Sequence, residues 1–219
     1  GLAAKSVKDI LIILQQILKT GDINIKIPMP KVPKTEIQIL KKEEQLILEK
    51  ELMSNLNETT FGIYLCLYTG LRIGELCALQ WKNIDLNNKK INIKKTLVRI
   101  KNPEENPKKK TIVIIDEPKS ASSIREIPIP DFIIPTLKEL SVDATPNTFL
   151  ISGTEKFVES RTFFNRYKKI LTSIELEKYN FHALRHTFAT RCIENGCDPK
   201  TLSEILGHSS VKITLERYV

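Results

Sequence analysis

The apolar residues of this chain change period twice, and that limits the folds open to it. Up to Leu79 they recur at helical spacing. Ala3, Val7, Ile10, Leu14 and Ile17 fall three or four apart, Leu46, Ile47 and Leu48 lie amid Glu and Lys, and Phe61, Ile63, Tyr64, Leu65 and Leu67 make a stretch so apolar that it must be buried. From Ile84 the pattern alternates or turns β-branched, through residues 91–93, 96–100, 111–115 and 124–129. Helical spacing returns over 132–140 and 162–174. Helices flanking a block of short strands predict a mainly α-helical protein with one small antiparallel β-sheet, an α+β fold. Asn87-Asn88 marks one turn of that sheet and residues 102–110 a longer, charged connection.

Three prolines, Pro28, Pro30 and Pro33, interrupt the helical pattern early. Proline removes backbone donors and favours extended chain, so 28–36 reads as a semi-rigid linker. It separates a single helix within 1–27 from one domain over 37–219. Gly1 in place of Met predicts a piece of a longer protein.

Charge points to a partner class. The 219 residues carry a net charge of +8 with 41% hydrophobic and 27% charged residues, a globular composition that favours a polyanion, nucleic acid first. No apolar run approaches the ~18 residues of a membrane span, and no targeting segment is visible. Cys66 and Cys77 lie in apolar helical contexts, and nothing suggests secretion, so Cys66, Cys77, Cys192 and Cys197 are expected as free thiols in a cytoplasmic protein.

The chemistry concentrates in 181–219, which holds every histidine of the protein. His182 and Arg185 are three apart and share a helical face. Residues 201–206 read as a short helix begun by Asp198-Pro199 and stopped by Gly207. His208 follows that stop, and Tyr218, read as an exposed hydroxyl near a free end, lies ten residues on. Far upstream, Gly70 interrupts an apolar helical stretch and Arg72 sits at the junction; an obligate charge there costs several kcal/mol unless paired, and Glu75 is the nearby candidate partner. Guanidinium groups, histidines and a hydroxyl together suit a phosphate site with its own nucleophile.

The block H-A-L-R-H-T-F-A-T from His182, L-G-H-S-S around His208, and Tyr218 at its spacing resemble the C-terminal signature of the tyrosine recombinases, the phage-type integrases. T-G-L-R-I-G-E-L from Thr69 resembles that family's other arginine motif, and P-K-S-A-S-S-I-R-E-I-P-I-P its β-hairpin lysine segment. Within that family the resemblance implies the integrase of a mobile element such as a conjugative transposon. The resemblance implies the family's catalytic fold over 37–219, the last helix of a core-binding domain before it, and a site of Arg72, Lys119, His182, Arg185, His208 and Tyr218. Tyr218 would attack a phosphodiester, Arg72, Arg185 and His208 would neutralise the phosphate, and Lys119 would protonate the departing 5′-hydroxyl. His182, with a near-neutral pKa, could serve as base. The 3′-phosphotyrosine formed would let double-stranded DNA be recut and rejoined without metal, ATP or another cofactor. A homotetramer on paired sites and accessory DNA-bending or excision proteins are implied likewise. Family members continue past the tyrosine into a tail that docks on a neighbour; a chain that stops at Val219 is expected to be monomeric without DNA.

Two rivals remain open at this point. His182 and His186 have the i, i+4 spacing of a zinc-binding helix, with Cys192, Cys197 and His208 downstream, as in a metal-dependent hydrolase. Against it, Ala183 stands where that motif's base belongs, and Arg185 would repel a cation. A DNA-binding regulator without catalysis is the other, disfavoured because every expected chemical position is filled.

Overall fold

The computed structural model describes residues 1–33, 36–104, 108–118 and 120–219. The chain divides into two compact units, Gly1–Glu36 and Ile37–Val219. The first contains α1 (Ala4–Thr20), which has no buried residue. Ile10, Leu14 and Ile17 of its apolar stripe are exposed, although such a stripe is expected to pack.

The second unit is built around α3 (Glu58–Thr69). Asn57 caps it, its side-chain oxygen accepting from the Thr59 and Thr60 amides at 2.9 and 3.2 Å. Phe61, Ile63, Leu65, Cys66 and Leu67 are buried. Burial on this scale is worth ~1.5–3 kcal/mol for each large apolar side chain. α2 (Lys42–Ser54), α6 (Ser160–Ser173) and α7 (His182–Glu194) pack around α3, which explains why its sequence is apolar on all faces. α4 (Ile73–Cys77) follows α3 after a two-residue break beyond Gly70.

The strands form two sheets where the sequence predicts one. β2 (Lys90–Ile93) is the centre of a three-stranded antiparallel sheet between β1 (Ile84–Asp85) and, after the hairpin that intervenes in sequence, β5 (Arg125–Pro128). Its register sets Ile91 against Ile127 and Ile93 against Arg125, with the three isoleucines buried. β3 (Thr96–Lys101) and β4 (Thr111–Asp116) pair only with each other. Two exposed lysines, Lys94 and Lys95, redirect the chain between β2 and β3, and buried Leu97 with partly buried Val113 packs the hairpin against the core. The segment predicted as one helix over 132–140 splits into a 3₁₀ turn, Asp131–Ile133, and α5 (Ile134–Leu140).

Two short helices complete the unit, α8 (Pro199–Leu206) and α9 (Val211–Tyr218). Asp198 caps α8 and Pro199 occupies its first turn, as the sequence predicts. α9 is not visible in the periodicity, because Val211, Ile213 and Thr214 are β-branched and resemble a strand. Ser210 starts it by accepting from the Lys212 amide. α8 packs on α7, α9 and β5, so it joins the C-terminal helices to the strands. Among the described residues no helix is long and apolar enough to cross a membrane, and the four cysteines are free thiols.

Candidate active site

Arg72 stands at the N-terminal cap of α4, where the chain leaves α3. Its guanidinium donates to Glu75 Oε1 at 2.7 Å, and its amide donates to Glu75 Oε2 at 2.9 Å. Glu75 is buried, and a second cation reaches it from β5: both terminal nitrogens of Arg125 donate to the carboxylate, each at 2.9 Å. Burial alone would raise the Glu75 carboxyl, but the bonds and charges of Arg125 and Arg72 outweigh it and hold the pKa below its ordinary value. Arg125 Nε donates in turn to the Ile205 carbonyl at 2.6 Å, tying strand, carboxylate and α8 together.

Arg185, on α7, is 2% exposed. It donates to the Gly70 carbonyl at 2.8 Å and to the Leu206 carbonyl at 2.6 Å, and Arg72 reaches the next carbonyl, Gly207, at 3.2 Å. These carbonyls terminate α3 and α8. Helix C-termini expose carbonyls without intrahelical partners and carry partial negative charge, so they anchor cations. The two glycines allow this closeness. Gly70 and Gly207 have φ of +64° and +63°; a Cβ at Gly70 would lie 2.6 Å from Phe188 Cδ1, and one at Gly207 would lie 2.8 Å from the Ser122 carbonyl. Burial and the neighbouring Arg72 lower the Arg185 pKa to about 9, which leaves the guanidinium charged at pH 7.

The imidazoles lie beside these arginines. His182 opens α7 and His186 follows one turn later, with ring centroids 4.6 Å apart and edge to face. His208, just beyond the end of α8, bonds through Nδ1 to the Thr214 hydroxyl at 2.8 Å. Burial first, then the arginine charges, lowers both His182 and His208 to about 4. His182 therefore does not have the near-neutral pKa the sequence suggests. Tyr218 ends α9, half-buried rather than exposed at a free end. Its ring stacks parallel to that of His208 at 6.4 Å, and its hydroxyl is 2.7 Å from His186 Nδ1. Burial raises its pKa, against the opposing charges of Arg185 and Arg217.

Arg72, His182, Arg185, His208 and Tyr218 are thus gathered at one place from four segments of the chain. Lys119 lies outside the described residues. Sequence reasoning missed two participants. Arg125 could have been found by strand phase: it alternates in step with Ile127 and Ile129, so it faces the core with them. His186 enters the sequence reading only as a zinc ligand of the rival hydrolase; the signal for its place in this site was its position one turn after His182. The zinc-site alternative gains nothing from the fold. Among the described residues no three His, Cys, Asp or Glu side chains converge to hold a metal ion, and His186 Nδ1 is engaged with Tyr218.

Comparison with known proteins agrees with this geometry. The model of the phage integrase family matches residues 37–219, and the chain belongs to that family. It is 32% identical over 212 residues to a tyrosine recombinase XerC-like protein of Caldanaerobacter subterraneus, a match covering 88% of this chain and 54% of the relative. The transposase from transposon Tn916 of Enterococcus faecalis is 28% identical, over 85% of this chain and 48% of its own length. The chain thus spans about half the length of these curated relatives. Among solved structures, the Tn1549 transposon integrase in complex with transposon right end DNA superposes over the whole of this chain and 76% of its own, with a TM-score of 0.81 at 22% identity. The XerA recombinase matches 94% of this chain and 68% of its own with a TM-score of 0.63. The α+β architecture is that of the tyrosine recombinase catalytic domain.

Proposed function

We propose that residues 37–219 are the catalytic domain of a site-specific DNA recombinase, the integrase of a mobile element, and that 1–27 are the last helix of a core-binding domain joined to it by 28–36. The observation that carries this reading is the position of the Tyr218 hydroxyl: it sits among imidazoles, beside two guanidinium groups anchored on consecutive carbonyls. Arg72 and Arg185 spend part of their donors on the protein, and the remaining N–H groups would bind the non-bridging oxygens of a phosphodiester. Such preorganised donors are worth ~3 kcal/mol each as charge builds in the transition state. Where Thr214 donates to His208 Nδ1, the opposite ring N–H is free to donate to the same phosphate.

Tyr218 Oη attacks phosphorus, the bond to the 5′-oxygen breaks, and a 3′-phosphotyrosine forms. Lys119 supplies the proton to the departing 5′-oxygen. A 5′-hydroxyl from another strand then reverses the step and rejoins DNA with no ATP. Double-stranded DNA as partner is supported by the net charge of +8 and by the DNA-bound state of the similarly folded Tn1549 integrase. Assembly as a tetramer on two sites, with accessory DNA-bending or excision proteins, extends the same reading, as does work at the bacterial nucleoid. The test is a nicked suicide substrate run on a denaturing gel. The wild type is expected to give a covalent protein–DNA band and Tyr218→Phe none, because a phenyl ring has no attacking oxygen. A band that survives in the variant would show that another group attacks.

A further inference from the structure

His182 and His186 lie one helical turn apart with their rings in contact, and the Tyr218 hydroxyl bonds to the second. His186 Nδ1 lies 2.7 Å from Tyr218 Oη, whereas His182 makes no hydrogen bond to that oxygen. We propose that His186, and not His182, takes the Tyr218 proton as the phenol attacks, which makes it a catalytic residue of this site. The inference rests on Tyr218 being the nucleophile.

A phenol needs such a partner. With an ordinary pKa of ~10, only about one tyrosine in a thousand is ionised at pH 7, and burial here raises the value further. The groups facing His186 are His182 and Arg185 on its own helix and Arg217 and Tyr218 on α9. Burial, then His182, Arg217 and Arg185, lower its pKa to about 4. The ring is therefore unprotonated at pH 7 and can offer a lone pair at Nδ1. An arriving phosphodiester brings negative charge, which favours the imidazolium as the proton moves. The proton passes from Oη to Nδ1 while the O–P bond forms and the bond to the 5′-oxygen breaks. In rejoining, the imidazolium returns the proton to the departing phenolate.

Single-turnover cleavage of a suicide substrate between pH 6 and 10 tests this, with wild type, His186→Ala, His186→Asn and His182→Ala, each first shown to bind DNA. At pH 7, His186→Ala is expected to cleave about 10²- to 10⁴-fold more slowly than wild type, the range of a lost general base. Its deficit should shrink toward pH 10 as tyrosine ionises unaided. Asparagine can keep a hydrogen bond at the Nδ1 position but cannot take a proton, so His186→Asn should be as slow as alanine, and His182→Ala should cleave faster than both. A substrate with sulfur at the 5′-bridging position needs no acid for its leaving group, so it should leave the His186→Ala deficit intact. Wild-type rates in His186→Ala, rescue by asparagine, a pH-independent deficit or rescue by the bridging sulfur would each overturn the assignment while the wild-type adduct still identified the reaction. A wild type that forms no adduct would instead remove the reading of Tyr218 as nucleophile.

Discussion

The two halves of the site are built on opposite electrostatic plans. On one side Arg72, Arg125 and Arg185 surround a single buried carboxylate, Glu75, and a row of helix-end carbonyls. On the other His182, His186, His208 and Tyr218 are all uncharged at pH 7: burial and nearby arginines lower the three imidazoles, and burial raises the tyrosine against those same charges. The first half is suited to fixing charge before a phosphate arrives; the second is suited to moving protons once it has. The coupling is physical: the cations that would hold the phosphate also keep the imidazoles unprotonated, hence able to accept.

The largest effect that separates the halves should come from the arginines themselves. Arg72→Lys and Arg185→Lys are each expected to slow cleavage by about 10²- to 10³-fold, since an ammonium cannot reproduce the planar fork. They should differ in stability. Arg185 is 2% exposed and bridges the ends of α3 and α8, so its replacement should also lower the melting temperature. The Arg72 side chain is 33% exposed, and its replacement should leave melting nearly unchanged. Equal melting losses for both variants would show that burial does not distinguish them.

A smaller effect, on stability first, is expected at Glu75. Glu75→Gln leaves two guanidinium groups facing each other without their shared counter-charge, which should cost about 3 kcal/mol. The folded-state pKa of Glu75 is depressed, so its contribution is fully present above the ordinary glutamate value and is lost as pH falls through the lower folded value. Thermal melts between pH 3 and 7 should therefore show a steeper acid limb in the wild type than in Glu75→Gln. Parallel curves would show that the carboxylate is not charge-coupled to the arginines.

Legibility from sequence differs between the halves as well. The motif residues Arg72, His182, Arg185, His208 and Tyr218 were readable because each lies in a short run with fixed spacing. The helices around α3 were readable because a continuous apolar run leaves little choice but burial. The Arg125–Glu75 contact joins residues on β5 and α4, and that distance in sequence carries no local signal beyond strand phase. α9 was hidden by β-branched residues, and with it the bond between Tyr218 and His186, since only the helix turns the hydroxyl toward α7. The split of the strands into two sheets was hidden for a similar reason: alternation identifies a strand but not its partner.

The smallest expected effect is none at all, and it bears directly on the charged half. If Arg72 and Arg185 supply the electrostatic stabilisation of the phosphate, chelation should not change the rate of covalent adduct formation. The physical basis is the donor set. Guanidinium groups in fixed orientation occupy the place that a divalent cation would otherwise take, and they would repel such a cation from it. Cleavage of the suicide substrate in excess EDTA is expected to match cleavage in magnesium at equal ionic strength. The ionic strength must be held constant, because contact with about six phosphates would by itself give a slope near −5 in log K against log salt. A loss of cleavage in EDTA that zinc or magnesium restores would break the division drawn here, moving charge stabilisation from the arginines to a metal ion.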